Sequence, residues 1–256
     1  MQEAAELIAR AANVTVLTGA GVSTDSGIPD FRGPQGVWTQ NPAAERLSTI
    51  QAYVDDPEVR RESWRQRAAH PVWSARPGPA HEALVTLERS GKLVALLTQN
   101  IDELHQAAGS SSELVVELHG SMHHVVCLSC ELRAPMSEAL QRVAAGEEDP
   151  PCVRCSGILK SATISFGQAL DTRVILKAHL AAQNCDVLVA AGTSLGVHPA
   201  AGFVEEAAEA GADVVIVNAE PTPYDGIATV VLRGGVGDVL PRIVPGLPGR
   251  THEPGR

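Results

Sequence analysis

Residues 17–33 read LTGAGVSTDSGIPDFRG and directly follow a short apolar run that begins at Val14. A buried strand that ends in Gly-x-Gly is typical of a loop that holds a dinucleotide, because glycine lets the backbone approach a phosphate. The third glycine of the dehydrogenase fingerprint is absent, since Thr24 stands in its place. The stretch therefore predicts a strand followed by a ligand-binding loop, but not a loop of the hydride-transfer type.

Three further apolar runs resemble the first one: LVALLTQN (93–100), CDVLVAAGTS (185–194) and ADVVIVNAE (212–220). Short continuous runs of this kind are typical of strands that are buried on both faces of a parallel sheet. Amphipathic helical segments precede the second and fourth runs, and these segments end at Gly91 and Gly211. This alternation predicts an α/β fold with a doubly wound, parallel, Rossmann-like sheet, whose ligand lies at the carboxyl ends of the strands.

Composition narrows the possible functions. The 256 residues are 44% hydrophobic, which is enough for a large core, and the formal net charge is -10. This acidic balance argues against nucleic-acid binding, which needs clustered Lys and Arg. No apolar run is long enough to span a membrane, and the first ten residues lack the pattern of an export signal. We therefore expect a cytoplasmic protein without a membrane partner, whose cysteines are thiols or metal ligands.

Four of the five cysteines form two Cys-x-x-Cys pairs, and 21 residues separate the pairs. Thiolates at this spacing can close a tetrahedral zinc site, although redox-active or unrelated thiols are the alternative. A site with four sulfur ligands has no open position for substrate. The predicted Zn²⁺ is therefore structural, and it contributes roughly 10–16 kcal/mol to its local fold by analogy with zinc fingers. Its expected ligands are Cys127, Cys130, Cys152 and Cys155, and Cys185 is expected to be a buried apolar residue.

Two segments interrupt the alternation of strands and helices. One holds the three tryptophans and reads as short helices and loops, and the other holds the four paired cysteines. We expect one domain over 1–256, with a smaller module inserted into the Rossmann-like part and a disordered tail. The predicted large part comprises about 1–33, 80–120 and 161–245, the small module comprises the helical segment 34–79 and the zinc ribbon 121–160, and the tail is 246–256.

Several motifs occur along the chain in one order: GAGVSTDSGIPDFRG, TQNIDELH, ELHGSMHHVVC, the two cysteine pairs, FGQAL, GTSLGVHP and VNAEP. Together they resemble the bacterial sirtuins, which are NAD-dependent protein lysine deacylases, over about residues 5–240. The resemblance implies an enzyme that consumes NAD as a co-substrate, carries one structural Zn²⁺, and removes an acetyl group from a lysine of a protein or peptide. A monomer would suffice for this activity.

The resemblance also implies which residues contact NAD. Gly19, Ala20 and Gly21 would let backbone amides approach the pyrophosphate at a helix N-terminus. Asn100 would orient the nicotinamide ribose, and Asp102 would hold the nicotinamide amide. Asp30 and Arg32 could instead be a surface ion pair. Ordinary loop residues are the alternative for the last three residues named below, from Asn218 onward. The implied set is Gly19, Ala20, Gly21, Ser23, Asp30, Phe31, Arg32, Trp38, Gln99, Asn100, Ile101, Asp102, Gly192, Thr193, Ser194, Asn218, Glu220 and Val236.

His119 is implied as the general base, because a neutral imidazole can take a proton from a ribose hydroxyl near pH 7. Asn100 is the second residue implied in catalysis, and His105 is expected to be structural. His123 and His124 are expected to flank the zinc module. An acyl-lysine peptide would add as a strand between two segments, in contact with Phe166, Gly167 and Val197.

Two departures from the family pattern bear on substrate choice. Gln168 stands where many relatives have Glu, and Trp64 with Arg67 stands in place of the Tyr-x-x-Arg pair of desuccinylases and demalonylases. We therefore expect deacetylation first and leave acidic acyl groups open. A mono-ADP-ribosyltransferase, a non-catalytic NAD-sensing module and a zinc-free dehydrogenase are the other hypotheses.

Overall fold

The computed structural model describes residues 1–33, 36–40, 48–244 and 246. Strands and helices are numbered here in chain order within these residues. The strands are β1 (Val14–Thr18), β2 (Leu93–Thr98), β3 (Val115–Glu117), β4 (Gly120–Cys127), β5 (Arg133–Pro135), β6 (Leu159–Thr163), β7 (Val187–Ala191), β8 (Asp213–Val217) and β9 (Val230–Leu232). The α-helices are α1 (Gln2–Arg10), α2 (Val37–Gln40), α3 (Ile50–Asp55), α4 (Pro57–Ala68), α5 (Pro79–Arg89), α6 (Leu104–Ala108), α7 (Met136–Ala144), α8 (Thr172–Gln183), α9 (Gly202–Glu209) and α10 (Val236–Ile243).

Six strands form one sheet in the order β3-β2-β1-β7-β8-β9, and every neighbouring pair is parallel. The four apolar runs supply the four central strands, which confirms the predicted Rossmann-like sheet. The two edge strands have only three residues each and gave no signal of their own. The strand order reverses between β1 and β7, so a crevice is expected beyond the carboxyl ends of these two strands.

Helices cover both faces of the sheet, as expected for a doubly wound fold. The core on one face contains residues of α1, α5 and α10, and the core on the other face contains residues of α8 and α9. Gly91 and Gly211 follow α5 and α9 with φ angles of 79° and 93°. These positive φ values explain why glycine follows each helix, because other residues adopt them only with strain.

The two inserted segments pack together as a small module. Strands β4, β5 and β6 form an antiparallel sheet, and Trp64 of α4 is buried in the same cluster as Cys127 and Cys152. The Tyr53 hydroxyl donates to the carbonyl oxygen of Leu159 at 2.8 Å, which ties α3 to β6. The antiparallel sheet extends through β6 to residue 163, somewhat beyond the expected boundary at 160.

Some expectations fall outside the described residues. They are the disordered tail, apart from Gly246, and the contact of the Trp38 side chain with NAD. Within the described residues, we find no helix with the length and hydropathy that a membrane span requires.

Candidate active site

Three glycines bring the ends of β1 and β7 into close contact at the switch point of the sheet. The amide of Gly21 donates to the carbonyl oxygen of Gly192 at 2.9 Å. A Cβ atom on Gly21 would lie 2.8 Å from Gly192 Cα, and one on Gly19 would lie 2.7 Å from Gly192 O. Real Cβ atoms do not approach so closely, so both positions require glycine. The two loops therefore meet directly beyond the carboxyl ends of β1 and β7.

The loop after β1 differs in one respect from the prediction. It runs as two short 3₁₀ turns, Ala20–Val22 and Thr24–Ser26, rather than as the start of an α-helix. The amides of Gly19 and Gly21 are already bonded to the β7 end. In this structure, these glycines close the contact between two loops, and a role in pyrophosphate binding stays a prediction for the segment.

Ser23, Asn100 and Asp102 converge at the carboxyl ends of β1 and β2. The Ser23 hydroxyl donates to Asp102 Oδ2 at 2.7 Å and accepts from Asn100 Nδ2 at 3.0 Å. The other oxygen of Asp102 accepts from the amide of Leu104 at 3.0 Å, at the start of α6. All three polar side chains are buried, so their hydrogen bonds fix them in one arrangement. The fold thus brings together residues that are far apart along the chain.

Gln99 connects this cluster to the neighbouring loop and to His119. Its Nε2 donates to Thr193 Oγ1 at 2.9 Å, and its carbonyl oxygen lies 3.1 Å from His119 Nδ1. Ser194 follows Thr193 and is exposed. The segments after β2, β3 and β7 thus meet at one place.

Burial lowers the pKa of His119, while the hydrogen bond to the Gln99 carbonyl raises it, and burial is the larger effect. The imidazole is therefore neutral near pH 7. A carbonyl oxygen can only accept a hydrogen bond, so Nδ1 carries the proton and Nε2 keeps its lone pair. This is the tautomer that a general base needs.

The segment before the small module has a tight turn at Asp30. Its carboxylate accepts from the amide of Gly33 at 3.0 Å, and its carbonyl oxygen accepts from the amide of Val37 at 2.9 Å. Phe31 and Arg32 are exposed on this turn. Ile101 packs in a small apolar cluster with Ile28 and Met122. NAD contacts by these residues stay predictions.

The residues expected at the adenosine end lie beyond β8 and at the start of α10. Asn218 Nδ2 donates to the carbonyl oxygen of Glu220 at 2.8 Å, and Glu220 itself is exposed. Val236 is buried in the core on the side of α5 and α10. An exposed acidic residue at a strand end suits a ribose contact. Val236 in contrast has a clear packing role in this structure.

Of the expected peptide segments, the one that contains Phe166 is anchored to the small module. The amide of Phe166 donates to Ser48 O at 2.9 Å, and its carbonyl oxygen accepts from the amide of Ile50 at 3.0 Å. Gly167 follows with a φ of 80°. The backbone of Phe166 is thus already paired, and an added peptide strand would have to pair with a neighbouring residue. Val197 lies on the other segment and is partly buried.

The four paired cysteines form a cluster at the end of the small module. Their Sγ atoms all lie within 4.8 Å of one another, with Cys127 and Cys155 3.5 Å apart and Cys130 and Cys152 3.7 Å apart. Tetrahedral zinc with bonds of about 2.3 Å would place its sulfur ligands about 3.8 Å apart. The donor set and the spacing therefore fit a structural Zn²⁺. Cys185 is buried elsewhere, as expected.

Some residues around the site were not predicted. Thr18 and Thr98 hydrogen-bond to each other at 2.9 Å, and Thr98 Oγ1 also accepts from the amide of Asn100 at 3.1 Å. His123 Nε2 lies 3.0 Å from the carbonyl oxygen of Asp102, so this histidine contacts the active-site loop and not only the zinc module. Thr18 and Thr98 are the last residues of two neighbouring strands, and this position in the sequence could have indicated that they lie next to the site.

Comparison with known proteins agrees with this arrangement. The sequence profile of the Sir2 family matches residues 19–199, which is more than half of the chain. The chain belongs to the Sir2 family. The resemblance to sirtuins is thereby confirmed.

Similar Sir2 proteins are known from both bacteria and archaea. NAD-dependent protein deacetylase 2 of Streptomyces coelicolor is 52% identical over 234 residues, which cover 91% of this chain and 97% of the relative. NAD-dependent protein deacetylase 1 of Pyrobaculum aerophilum is 42% identical over 251 residues, which cover 97% of this chain and 95% of the relative. The matches therefore extend over nearly the full length of each Sir2 protein.

Solved Sir2 structures share the fold. A complex of Sir2 with a p53 peptide and NAD⁺ matches with a TM-score of 0.86 at 33% identity, over 95% of this chain and 96% of the other. A Sir2 mutant with a deacetylated p53 peptide and 3'-O-acetyl ADP ribose matches with a TM-score of 0.88 at 32% identity, with the same coverage.

Proposed function

We propose that this chain is an NAD-dependent protein lysine deacetylase, which converts an acetyl-lysine peptide, NAD and water into lysine, nicotinamide and O-acetyl-ADP-ribose. The observation that carries this proposal is the neutral His119 imidazole beside the buried Ser23–Asn100–Asp102 cluster, at the switch point of the sheet. Family membership and relatives named as deacetylases support the same conclusion.

The residues of the crevice fit NAD in their chemistry. Hydroxyl, amide and carboxylate groups can bind the ribose hydroxyls and the carboxamide of the nicotinamide riboside, because together they offer donors and acceptors. When bound, NAD supplies a sugar carbon with a cationic leaving group, and this sugar accepts the acetyl group. The protein orients this end through Asn100 and Asp102, whose side chains Ser23 links.

His119 has the role of general base in this proposal. Its Nε2 receives the proton of a ribose hydroxyl, while the hydrogen bond from Nδ1–H to the Gln99 carbonyl fixes the ring and stabilises the imidazolium that forms. Phe31 is exposed on the turn before the small module and can exclude water from the reacting carbon. The zinc holds the small module and takes no part in the chemistry.

The substrate partner is an acetylated lysine in a protein or peptide. Relatives solved with p53 peptides support a peptide ligand for those proteins. Because a peptide that adds as a strand is held by its backbone, we infer little selectivity for the flanking residues. We further propose that a monomer is sufficient and that the protein acts in the cytoplasm.

An acidic acyl group is the second candidate substrate, and two basic side chains favour it. Burial, and to a smaller extent the nearby Arg67 guanidinium, lower the pKa of Lys160 to about 7. Arg67 and Asp102 both affect the pKa of His70, so this histidine lies between the small module and the Asp102 loop in its electrostatic surroundings. Two neighbouring cations would favour a carboxylate. Trp64 cannot contribute, because it is buried in the core of the small module.

Release of nicotinamide tests the proposed function against its rivals. We expect purified protein to release nicotinamide from NAD only when an acetylated peptide is present, and the unmodified peptide is the matched control. Release that does not depend on acetyl-lysine would indicate a glycohydrolase or an ADP-ribosyltransferase. The absence of any release would indicate an NAD-sensing module and would contradict the proposal.

A further inference from the structure

A chain of buried hydrogen bonds lies directly beneath the active-site loop. Thr18 Oγ1 lies 2.9 Å from Thr98 Oγ1 and 3.0 Å from His105 Nε2. Thr98 Oγ1 accepts from the amide of Asn100 at 3.1 Å. The side chains of Thr18, Thr98 and His105 are all at most 2% exposed. The chain therefore connects the ends of β1 and β2 with helix α6, away from solvent.

A second series of hydrogen bonds connects helix α6 with the side chain of Asn100. Asp102 Oδ1 accepts from the amide of Leu104, which directly precedes His105 in α6. Asp102 Oδ2 accepts from Ser23, and Ser23 accepts from Asn100 Nδ2. The hydrogen bonds thus form a closed circuit that begins at the backbone amide of Asn100 and returns to its side chain. A displacement of His105 would disturb both ends.

The protonation of His105 follows from its surroundings. Burial lowers its pKa to about 3, so the ring is neutral. With the Thr18 hydroxyl donating to Thr98, as the structure places it, Thr18 accepts from His105, whose proton is then on Nε2. Nδ1 of the same ring is consequently an acceptor.

A second buried histidine, His81, lies behind this ring, with the two ring centroids 4.9 Å apart. His81 Nδ1 accepts from the amide of Gly78 at 3.1 Å, so its proton is on Nε2. His81 Nε2 and His105 Nδ1 are both buried and have no hydrogen-bond partner among the described residues. One is a donor and the other an acceptor, so the two rings are complementary in their hydrogen-bonding capacity.

We propose that His105 is a positioning residue: through Thr18 and Thr98, its neutral Nε2–H tautomer sets the backbone that presents Asn100 and Asp102 to the nicotinamide riboside. His81 packs against this ring from behind. His105 touches no reacting atom in this proposal. The inference rests on the proposed function, because it assumes that Asn100 and Asp102 bind that end of NAD.

The matched variants Thr18→Val and Thr18→Ser test the circuit. Valine keeps the shape of threonine but removes the hydroxyl, whereas serine keeps the hydroxyl. For Thr18→Val we expect the Kd for NAD, measured by calorimetry, to rise on the order of tenfold, because a buried partner is lost. The KM of Thr18→Val for the acetyl peptide should stay within about twofold of the wild-type value, because the lost hydrogen bond does not contact the peptide. Thr18→Ser should bind NAD nearly as tightly as wild type. Equal NAD affinity in all three proteins would overturn the proposal, and so would an equal loss in both variants.

Histidine ¹⁵N NMR of the wild-type protein provides a test that does not need activity or a substitution. We expect the Nε2–H tautomer for both His81 and His105. An Nδ1–H tautomer of His105 would overturn the proposal. His105→Gln, whose amide can donate from the position of Nε2, should retain more NAD affinity than His105→Asn, which cannot reach Thr18. If the wild-type protein binds NAD but does not deacetylate the peptide, the proposed function is wrong. The NAD affinities and the histidine tautomers would still show whether His105 positions Asn100 and Asp102.

Discussion

The Nδ1 atom of His119 lies 3.1 Å from the carbonyl oxygen of Gln99. This contact determines the tautomer, because a carbonyl oxygen cannot donate a proton to the ring. Burial lowers the pKa of the same imidazole, so its Nε2 lone pair is available throughout the neutral range. Gln99 also donates to Thr193 on the neighbouring loop. One residue therefore links the proposed base to the loop that follows β7.

Replacing this base should separate two parts of the reaction. We expect His119→Ala to lose roughly 10²–10⁴-fold in the rate of deacetylation, which is the usual contribution of a general base. Exchange of labelled nicotinamide into NAD, in the presence of acetyl peptide, should continue because it precedes the proton transfer. Wild-type deacetylation by this variant would show that the base is a different residue.

Stability should depend on pH through His105. Its pKa is about 3 in the folded protein and 6.5 in the reference state, so below pH 6.5 the unfolded chain binds the extra proton. The resulting stability is present above pH 6.5 and is lost as the pH falls. Between pH 6.5 and pH 5 the loss should be about 1–2 kcal/mol for this residue alone. Chemical denaturation at both pH values measures it.

His105→Gln is the control for this effect, since glutamine does not titrate. The variant should be less sensitive to the same decrease in pH than wild type, whatever its stability at pH 7. An identical pH dependence in both proteins would mean that His105 is protonated equally in the folded and unfolded states.

Removal of zinc should be visible at Trp64. This side chain packs in the same cluster as Cys127 and Cys152, so loss of the metal should loosen its surroundings and shift its fluorescence to longer wavelength. We expect one zinc per chain by elemental analysis and a shift on chelation that Trp64→Phe greatly reduces. Protein without zinc but with an unchanged spectrum would contradict a structural metal.

The acyl group that the enzyme prefers can be read from one peptide prepared with acetyl, propionyl or succinyl lysine. We expect the acetyl peptide to have the highest kcat/KM. If the cations near Lys160 also admit an acidic acyl group, Arg67→Met should reduce desuccinylation at least about tenfold, the effect of one charge-assisted contact, and leave deacetylation nearly unchanged. A succinyl peptide that reacts faster than the acetyl peptide would reverse the assignment.

Local patterns in the sequence predicted the features that depend on nearby residues. The cysteine pairs gave the zinc cluster directly from their spacing, and the four long apolar runs gave the centre of the sheet. The edge strands were missed because three residues carry too little periodicity. The 3₁₀ turns after β1 were missed because the contact of Gly21 with Gly192 decides the path of that loop, and no local pattern reports such a contact.

The site shows the same limit. The motifs identified Ser23, Asn100 and Asp102, but not that Ser23 joins the other two side chains. His105 was expected to be structural, and its bond to Thr18 could not be read from the chain because 87 residues separate them. The pairing of Phe166 with Ser48 and Ile50 likewise needed coordinates.

Mass spectrometry of one reaction tests the central claim most directly. The protein is incubated with NAD and a peptide that carries a single acetyl-lysine, and the masses and amounts of the peptide and nucleotide products are measured. We predict that the peptide loses the mass of one acetyl group and that an equal amount of O-acetyl-ADP-ribose forms. A peptide that keeps its acetyl group and gains an ADP-ribosyl group would contradict deacetylation.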